Sequence, residues 1–190
     1  MKVKCIRPIA LTLLTLLPTA HVMAEDNWTN RFSLLFGQKH LDKDDYEDNT
    51  HSAFGLSTDI QNKSWPVSIA IDLLAAGKKT DNKQGEVTKV TGGLHLGVRK
   101  YWLLNENIEP YLGTGLTLSG AERKVVKNDI TEKQDDDDLG YWLSTGVNWK
   151  FKNNFMLGAQ IRYSDSEATL FNSKVDTGGI YSMMTVGYQF

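Results

Sequence analysis

Three things are scarce in this chain of 190 residues: cysteine, long hydrophobic runs and an excess of positive charge. The single cysteine, Cys5, lies near the start, so a domain stapled by disulfides is excluded. After the first two dozen residues no apolar run reaches the roughly 20 residues that a membrane-crossing helix needs. Lys and Arg number 21 against 23 Asp and Glu, and that balance argues against an electrostatic nucleic-acid binder. What remains is a chain rich in Gly (16), Tyr (7) and Trp (5).

The first residues have the pattern of an export signal. Lys2, Lys4 and Arg7 form a basic start, an apolar run follows from Ile9 to Leu17, and Val22 and Ala24 stand three and one residues before Glu25. That spacing predicts a signal peptide, residues 1–24, cleaved after Ala24. Cys5 precedes the apolar run, so it is not the acylated cysteine of a lipoprotein. Removing the three basic residues leaves 18 Lys and Arg against 23 acids. The exported remainder, residues 25–190, is then one acidic, cysteine-free domain.

The last stretch, Gly179 to Phe190, organises the rest. Phe190, Tyr188, Val186, Met184, Ser182 and Ile180 share one parity, and Gln189, Gly187, Thr185, Met183 and Tyr181 the other. One largely apolar face and one mixed face at period two describe a strand between two different solvents. The same alternation recurs seven times upstream, at about Thr29–Gln38, Ser52–Ile60, Pro66–Ala75, Val90–Trp102, Pro110–Gly120, Leu139–Phe151 and Phe155–Ser164. Between these strands the connections alternate in length. Polar stretches at Lys39–Thr50 (with Asp42, Asp44, Asp45, Glu47 and Asp48), Gly77–Glu86, Ala121–Asp138 and Asp165–Gly178 are predicted as long loops, and Gln61–Trp65, Leu103–Ile108 and Lys152–Asn154 as short turns.

Eight strands with alternating long and short connections predict an all-β, antiparallel up-and-down transmembrane barrel, with both termini on the short-turn, periplasmic side. Trp28, Trp65, Tyr101, Trp102, Trp149, Phe151, Phe155 and Phe190 gather at the short-turn ends, as an interfacial aromatic girdle would. In this register Arg31, Asp59, Asp72, Arg99 and Arg162 all fall on the inner face, away from lipid. A shift of one residue would reverse every one of them.

The whole exported chain resembles the superfamily of small eight-stranded outer-membrane barrels that includes the OmpA transmembrane domain and the OmpX-like and opacity-type proteins. The terminal Phe190, the P-Y-L-G-T-G-L run at Pro110–Leu116 and the hairpin Gly146–Ser164 carry the resemblance. It implies a bacterial outer-membrane location, a belt of membrane lipids and lipopolysaccharide, and insertion by the barrel assembly machinery. That machinery would read Phe190, Tyr188, Val186 and Met184 as an assembly signal. With Phe190 last, no peptidoglycan-binding domain is expected to follow the barrel.

Some barrels of this size are lipid A enzymes, so candidate chemistry needs weighing. His51 and Ser52 are neighbours in a strand and belong to opposite faces, unlike the His-x-Ser spacing of the lipid A deacylases. Asp72 and His95 are both inward and would face each other if the third and fourth strands pair, with Ser68 or Ser144 as the hydroxyl of a triad. The alternative is a charge network of Arg31, Asp59, Asp72, His95, Arg99 and Arg162 filling a narrow lumen, with Asp59 partnering Arg99. Asp135, Asp136, Asp137 and Asp138, with Asp129 and Glu132 upstream, offer oxygen ligands for Ca²⁺ or Mg²⁺ but lack EF-hand spacing, so a solvated loop is the simpler reading. Gly92–Gly93 and Gly178–Gly179 precede no helix and are not phosphate cradles.

The expectation is a non-enzymatic barrel with a filled lumen and four surface loops, serving membrane integrity or contact with an external partner. No cofactor and no nucleic-acid partner is expected. A narrow pore for ions or small solutes, a lipid A or phospholipid modifying enzyme and a soluble ligand-binding barrel are the alternatives.

Overall fold

The computed structural model describes residues 27–41, 50–82, 85–127, 130–170, 173–176 and 178–190. Every regular element among them is a strand: β1 (Trp28–His40), β2 (Thr50–Asn62), β3 (Ser68–Asn82), β4 (Gly85–Tyr101), β5 (Ile108–Lys127), β6 (Ile130–Lys150), β7 (Phe155–Asp165), β8 (Glu167–Leu170), β9 (Ser173–Asp176) and β10 (Gly179–Gln189). Eight of them, β1 to β7 and β10, close into an antiparallel barrel in the order β1-β10-β7-β6-β5-β4-β3-β2. Closure joins the first strand to the last through ten register pairs, from Arg31–Gln189 to His40–Ile180. Beyond that ladder, the Phe190 N–H donates to Asn30 O at 2.8 Å and the Asn30 N–H to Phe190 O at 3.3 Å. A closed barrel has no edge strand to satisfy.

The burial pattern is inverted relative to a water-soluble protein. Twenty polar or charged residues are buried among the described residues, against ten hydrophobic ones, while Leu34, Phe54, Ile69, Leu96, Leu116, Leu143, Ile161 and Met184 stand exposed on the outer wall. Water-soluble folds rarely expose so contiguous an apolar surface, so the outer solvent of this barrel is itself apolar. The face assignments made from period two hold in all eight strands: β2 alternates buried and exposed from His51 to Leu56, and β10 does so from Gly179 to Thr185.

Strand lengths differ from the sequence reading in a systematic way. About 9 to 11 residues suffice to cross a bilayer as a tilted strand, yet β5 has 20 residues and β6 has 21. The segment Ala121–Asp138, expected as the longest loop, is a paired hairpin running from Ser119–Asp138 to Lys127–Ile130. Gly77–Glu86 is likewise strand, paired from Gly77–Val90 to Asn82–Gly85. Their polar sequences do not prevent strand pairing, because the ladder satisfies the backbone groups whatever the side chains. The β-branched Val87, Val125 and Val126 suit that geometry. Part of the expected loop Asp165–Gly178 forms a small hairpin, β8 against β9, from Glu167–Asp176 to Leu170–Ser173.

Of the first expected loop, Lys39, His40 and Thr50 belong to β1 and β2, and residues 42–49, with their five acids, lie outside the described residues. Strand β3 begins at Ser68, two residues after Pro66. The three short turns lie near their expected places, but Gln61 and Asn62 end β2 and Ile108 opens β5.

The aromatic girdle forms at the short-turn end with one correction. Trp28 packs edge-on against Trp65 at 5.3 Å, Phe151 lies against Trp149 and Phe155, and Tyr188 meets Phe190 at 4.9 Å. Tyr101 does not join them. It has the inward parity of Arg99, and its hydroxyl donates to Asp59 Oδ2 at 2.9 Å inside the barrel. Proximity to the rim decided its expected place, but strand parity decides its face.

The outer belt supplies a direct test. Leu116 is 60% exposed on the outer wall, and Leu116→Arg is expected to cost about 2–4 kcal/mol if the belt sits in hydrocarbon. Urea unfolding in lipid vesicles, compared with Leu116→Ala, measures it. Equal stability of the two variants would mean that this wall faces water.

Candidate functional site

Inward side chains from seven of the eight barrel strands meet in the lumen and form one connected polar system. At its centre Asp72 on β3 takes hydrogen bonds on Oδ2 from both Arg99 Nη2 and Arg162 Nη2, which come from β4 and β7. Arg99 bridges onward: its Nη1 donates to both oxygens of Asp59, at 2.9 and 2.8 Å, and to Ser57 Oγ at 2.9 Å. Asp59 also accepts from Tyr101, and Ser68 Oγ donates to Arg99 O at 3.2 Å. Four buried charges are thus arranged as an alternating chain, Asp59–Arg99–Asp72–Arg162. Charge pairing and hydrogen bonding together are what let such groups stay ionised out of water.

Nearer the short-turn end a second group forms around Arg31. Its Nη2 reaches Glu109 Oε2 at 3.4 Å and its Nη1 reaches Gln61 Oε1 at 3.4 Å, while Lys150 Nζ lies 3.5 Å from Glu109 Oε1. The guanidinium stands over the Tyr101 ring at 4.2 Å.

Trp142 packs beside the central charges. Fully buried, it packs against Arg162 at 4.5 Å and Arg99 at 5.7 Å, the approach a cation makes to an aromatic face. Its indole N–H is shared between Leu116 O at 3.1 Å and Leu96 O at 3.3 Å. Room for so large a ring comes from the facing strands, where Gly97 pairs with Gly115. A Cβ on Gly97 would stand 2.7 Å from Trp142 Cζ2 and 2.2 Å from Thr114 O, so no other residue fits opposite this ring.

The six residues expected in a lumen network are therefore all inside, but in three different situations. Asp59, Asp72, Arg99 and Arg162 form the central chain, and Arg31 belongs to the second group. His95 stands directly opposite Asp72 in the β3–β4 register, yet neither ring nitrogen has a hydrogen-bond partner; its ring instead meets Trp142 edge-on at 6.5 Å. The Asp72–His95–Ser arrangement is thus not assembled: Asp72 is engaged by two arginines, and Ser68 points at Arg99 O and Asp59. His51 is buried inside the barrel and Ser52 exposed outside, so the two share no site. Asp135–Asp138 occupy four successive positions of β6, opposite Glu122, Ala121, Gly120 and Ser119. They are strand residues rather than a loop, and successive positions of a strand alternate between its faces. No cluster of three or more potential metal ligands occurs among the described residues.

Several lumen residues escaped the sequence reading. Glu109 lies one residue before the expected start of its strand, and Lys39 one residue past the expected end of β1; carrying strand parity outward would have placed both inside. Gln160 and Tyr111, joined by a 2.7 Å hydrogen bond from the phenol to the amide oxygen, are two more buried residues of this kind.

Comparison with known proteins gives a consistent picture. Residues 9–190 match the family model described as outer membrane protein beta-barrel domain. No curated protein sequence matches the chain significantly. Among solved structures, the attachment invasion locus protein Ail of Yersinia pestis, crystallised with the heparin analogue sucrose octasulfate, superposes with a TM-score of 0.60 at 15% identity, covering 86% of this chain and 99% of that one. A major outer membrane protein of Thermus thermophilus gives 0.62 at 8% identity, with 86% and 99% covered. Neisserial surface protein A gives 0.56 at 14% identity, with 86% and 97% covered. At such identities the likeness to these structures concerns the fold alone.

Proposed function

This chain belongs to the outer membrane protein β-barrel family, and from that premise we propose that it is an electrically closed, non-enzymatic barrel whose working part lies outside the membrane. The observation that carries the reading is the filled lumen. The chain Asp59–Arg99–Asp72–Arg162 and the Trp142 ring occupy its middle, and side chains of this size fill the interior of an eight-stranded barrel. Catalysis finds no support in the same residues, because the one inward histidine opposite a carboxylate has no partner to activate or be oriented by.

With the middle closed, the distinctive feature is the wall made by β3, β4, β5 and β6, whose 15 to 21 residues exceed the 11 to 13 of the other barrel strands. We assign this sheet, together with the β8–β9 hairpin, to contact with a partner at the cell surface. The short turns and both chain ends then face the periplasm. Lipids, including lipopolysaccharide, surround the belt, and the closing strand with Phe190, Tyr188, Val186 and Met184 is what the assembly machinery would engage.

Single-channel recording in planar bilayers tests the closed reading. The purified barrel is expected to show no stable open level above the leak of the bare membrane. A reproducible open level would overturn the proposal and make the chain a pore.

A further inference from the structure

The outer wall of the barrel is not evenly smooth. A groove of about 470 Å³ crosses it over β1, β10, β7 and β6, within the roughly 300–1,000 Å³ of small-molecule sites. Seven of its eleven lining residues have outward parity, and the other four, Gly37, Gly146, Gln160 and Met183, are their neighbours in the chain. The groove therefore lies on the lipid side, with the sheet itself as its floor.

Two adjacent rows of the ladder build it. Phe36, Met184, Ala159 and Val147 are successive cross-strand neighbours, and Ser182, Ile161 and Thr145 follow one another in the next outward row. Ala159 is the smallest side chain of the first row, and it leaves a low point between Met184 and Val147. Thr145 turns its hydroxyl back to Tyr111 O at 3.2 Å, which takes its polar end out of play. Most of the groove is thus apolar.

One end differs. Gln38 is the next neighbour of Ser182 in the second row, and Ser52 is the next neighbour of Gln38. All three are exposed, and among the described residues none has a hydrogen-bond partner for its side chain. Hydroxyl and amide groups exchange hydrogen bonds with carbonyls and hydroxyls, the groups found where an acyl chain joins its head. Gln38 lies near the end of β1 away from the short turns, whereas Thr145 lies near the short-turn end of β6. The groove accordingly descends from the polar row into the apolar belt. Water can serve the polar row but not the apolar one; a lipid serves both at once.

We infer that this groove is a docking site for one acyl chain of a lipopolysaccharide molecule, whose carbonyl linkage meets Gln38, Ser182 and Ser52. The inference rests on the proposed orientation, with the short turns in the periplasm, because that orientation puts the polar row in the outer leaflet. It adds one defined lipid position to a belt that is otherwise unselective.

The test incubates the purified barrel in detergent with equal amounts of rough-type lipopolysaccharide and phosphatidylethanolamine, and native mass spectrometry counts the lipid retained. One lipopolysaccharide per barrel is expected to survive activation that strips phosphatidylethanolamine. Ala159→Leu fills the low point from outside and should lower that occupancy several-fold. Ala75→Leu, the same change at an exposed position of β3 outside the groove, should leave it unchanged. The double variant Gln38→Leu with Ser182→Ala should also release the lipid more readily, and it keeps the site testable if Ala159→Leu fails to fold. Equal retention by wild type and Ala159→Leu, or equal retention of the two lipids, would overturn the site in favour of an unselective belt. Maleimide labelling of Lys127→Cys on intact cells reads the orientation separately, so failure of the orientation and failure of the groove give different results.

Discussion

Replacing Asp72 by alanine is expected to lower the folding stability of the barrel by about 3–5 kcal/mol, the range found when one partner of a buried ion pair is removed. The reason lies in how much rests on one carboxylate oxygen. Asp72 Oδ2 is shared by Arg99 and Arg162. Arg99 would keep Asp59 and Ser57, whereas Arg162 would lose the one acceptor its guanidinium hydrogen-bonds and retain only the face of Trp142. Asp72→Asn keeps the shape and one acceptor oxygen but loses the charge, so it should fall between wild type and Asp72→Ala. The double variant Asp72→Ala with Arg162→Met should be more stable than Asp72→Ala alone, because removing both charges removes the stranded one. Equilibrium urea unfolding in micelles, followed by tryptophan fluorescence, measures all three. A loss for Asp72→Ala below about 1 kcal/mol, the scale of an exposed ion pair, would show that the lumen is hydrated and the network weak.

Trp142→Ala is the second large effect, and it should change function as well as stability. Removing a buried tryptophan costs about 3–5 kcal/mol in a core that does not collapse, and this one has little with which to collapse. The positions facing the ring, Gly97 and Gly113, carry no side chain to move in, and the β-ladder fixes their backbone. The vacated space is lined by Arg99, Arg162 and His95, so it should fill with water rather than stay dry. Discrete conductance events, absent from the wild type, are the expected result in planar bilayers. Trp142→Phe retains most of the volume and should remain closed. An alanine variant as silent as the wild type would place the closure elsewhere in the lumen.

The two-fold period made the barrel legible from sequence because one rule, apolar out and polar in, had to hold along every strand. Arg31, Asp59, Asp72, Arg99 and Arg162 were assignable to the inner face for that reason alone. Their partners were legible only in part. The pairing of Asp59 with Arg99, named from the sequence, is present, whereas Asp72, although it stands beside His95 in the sheet, is held by Arg99 and, across the lumen from β3 to β7, by Arg162. Contacts of that kind depend on strand tilt and shear, which no local pattern records. Strand ends failed differently. The alternation that marks the other strands stops near Ala121, so Ala121–Asp138 reads as a loop although it is paired strand.

The long β5–β6 hairpin has a consequence for how this protein can vary. Each of its register pairs uses one residue from each strand, up to Lys127 and Ile130. Residues can therefore be inserted or removed on either side of that tip in matched numbers while every membrane-embedded side chain keeps its face and its neighbours. An odd insertion within a single strand below Ser119 would instead turn lipid-facing residues inward. Tolerance to sequence change should accordingly rise stepwise along the hairpin, making its tip the natural place to graft a foreign peptide without remaking the barrel.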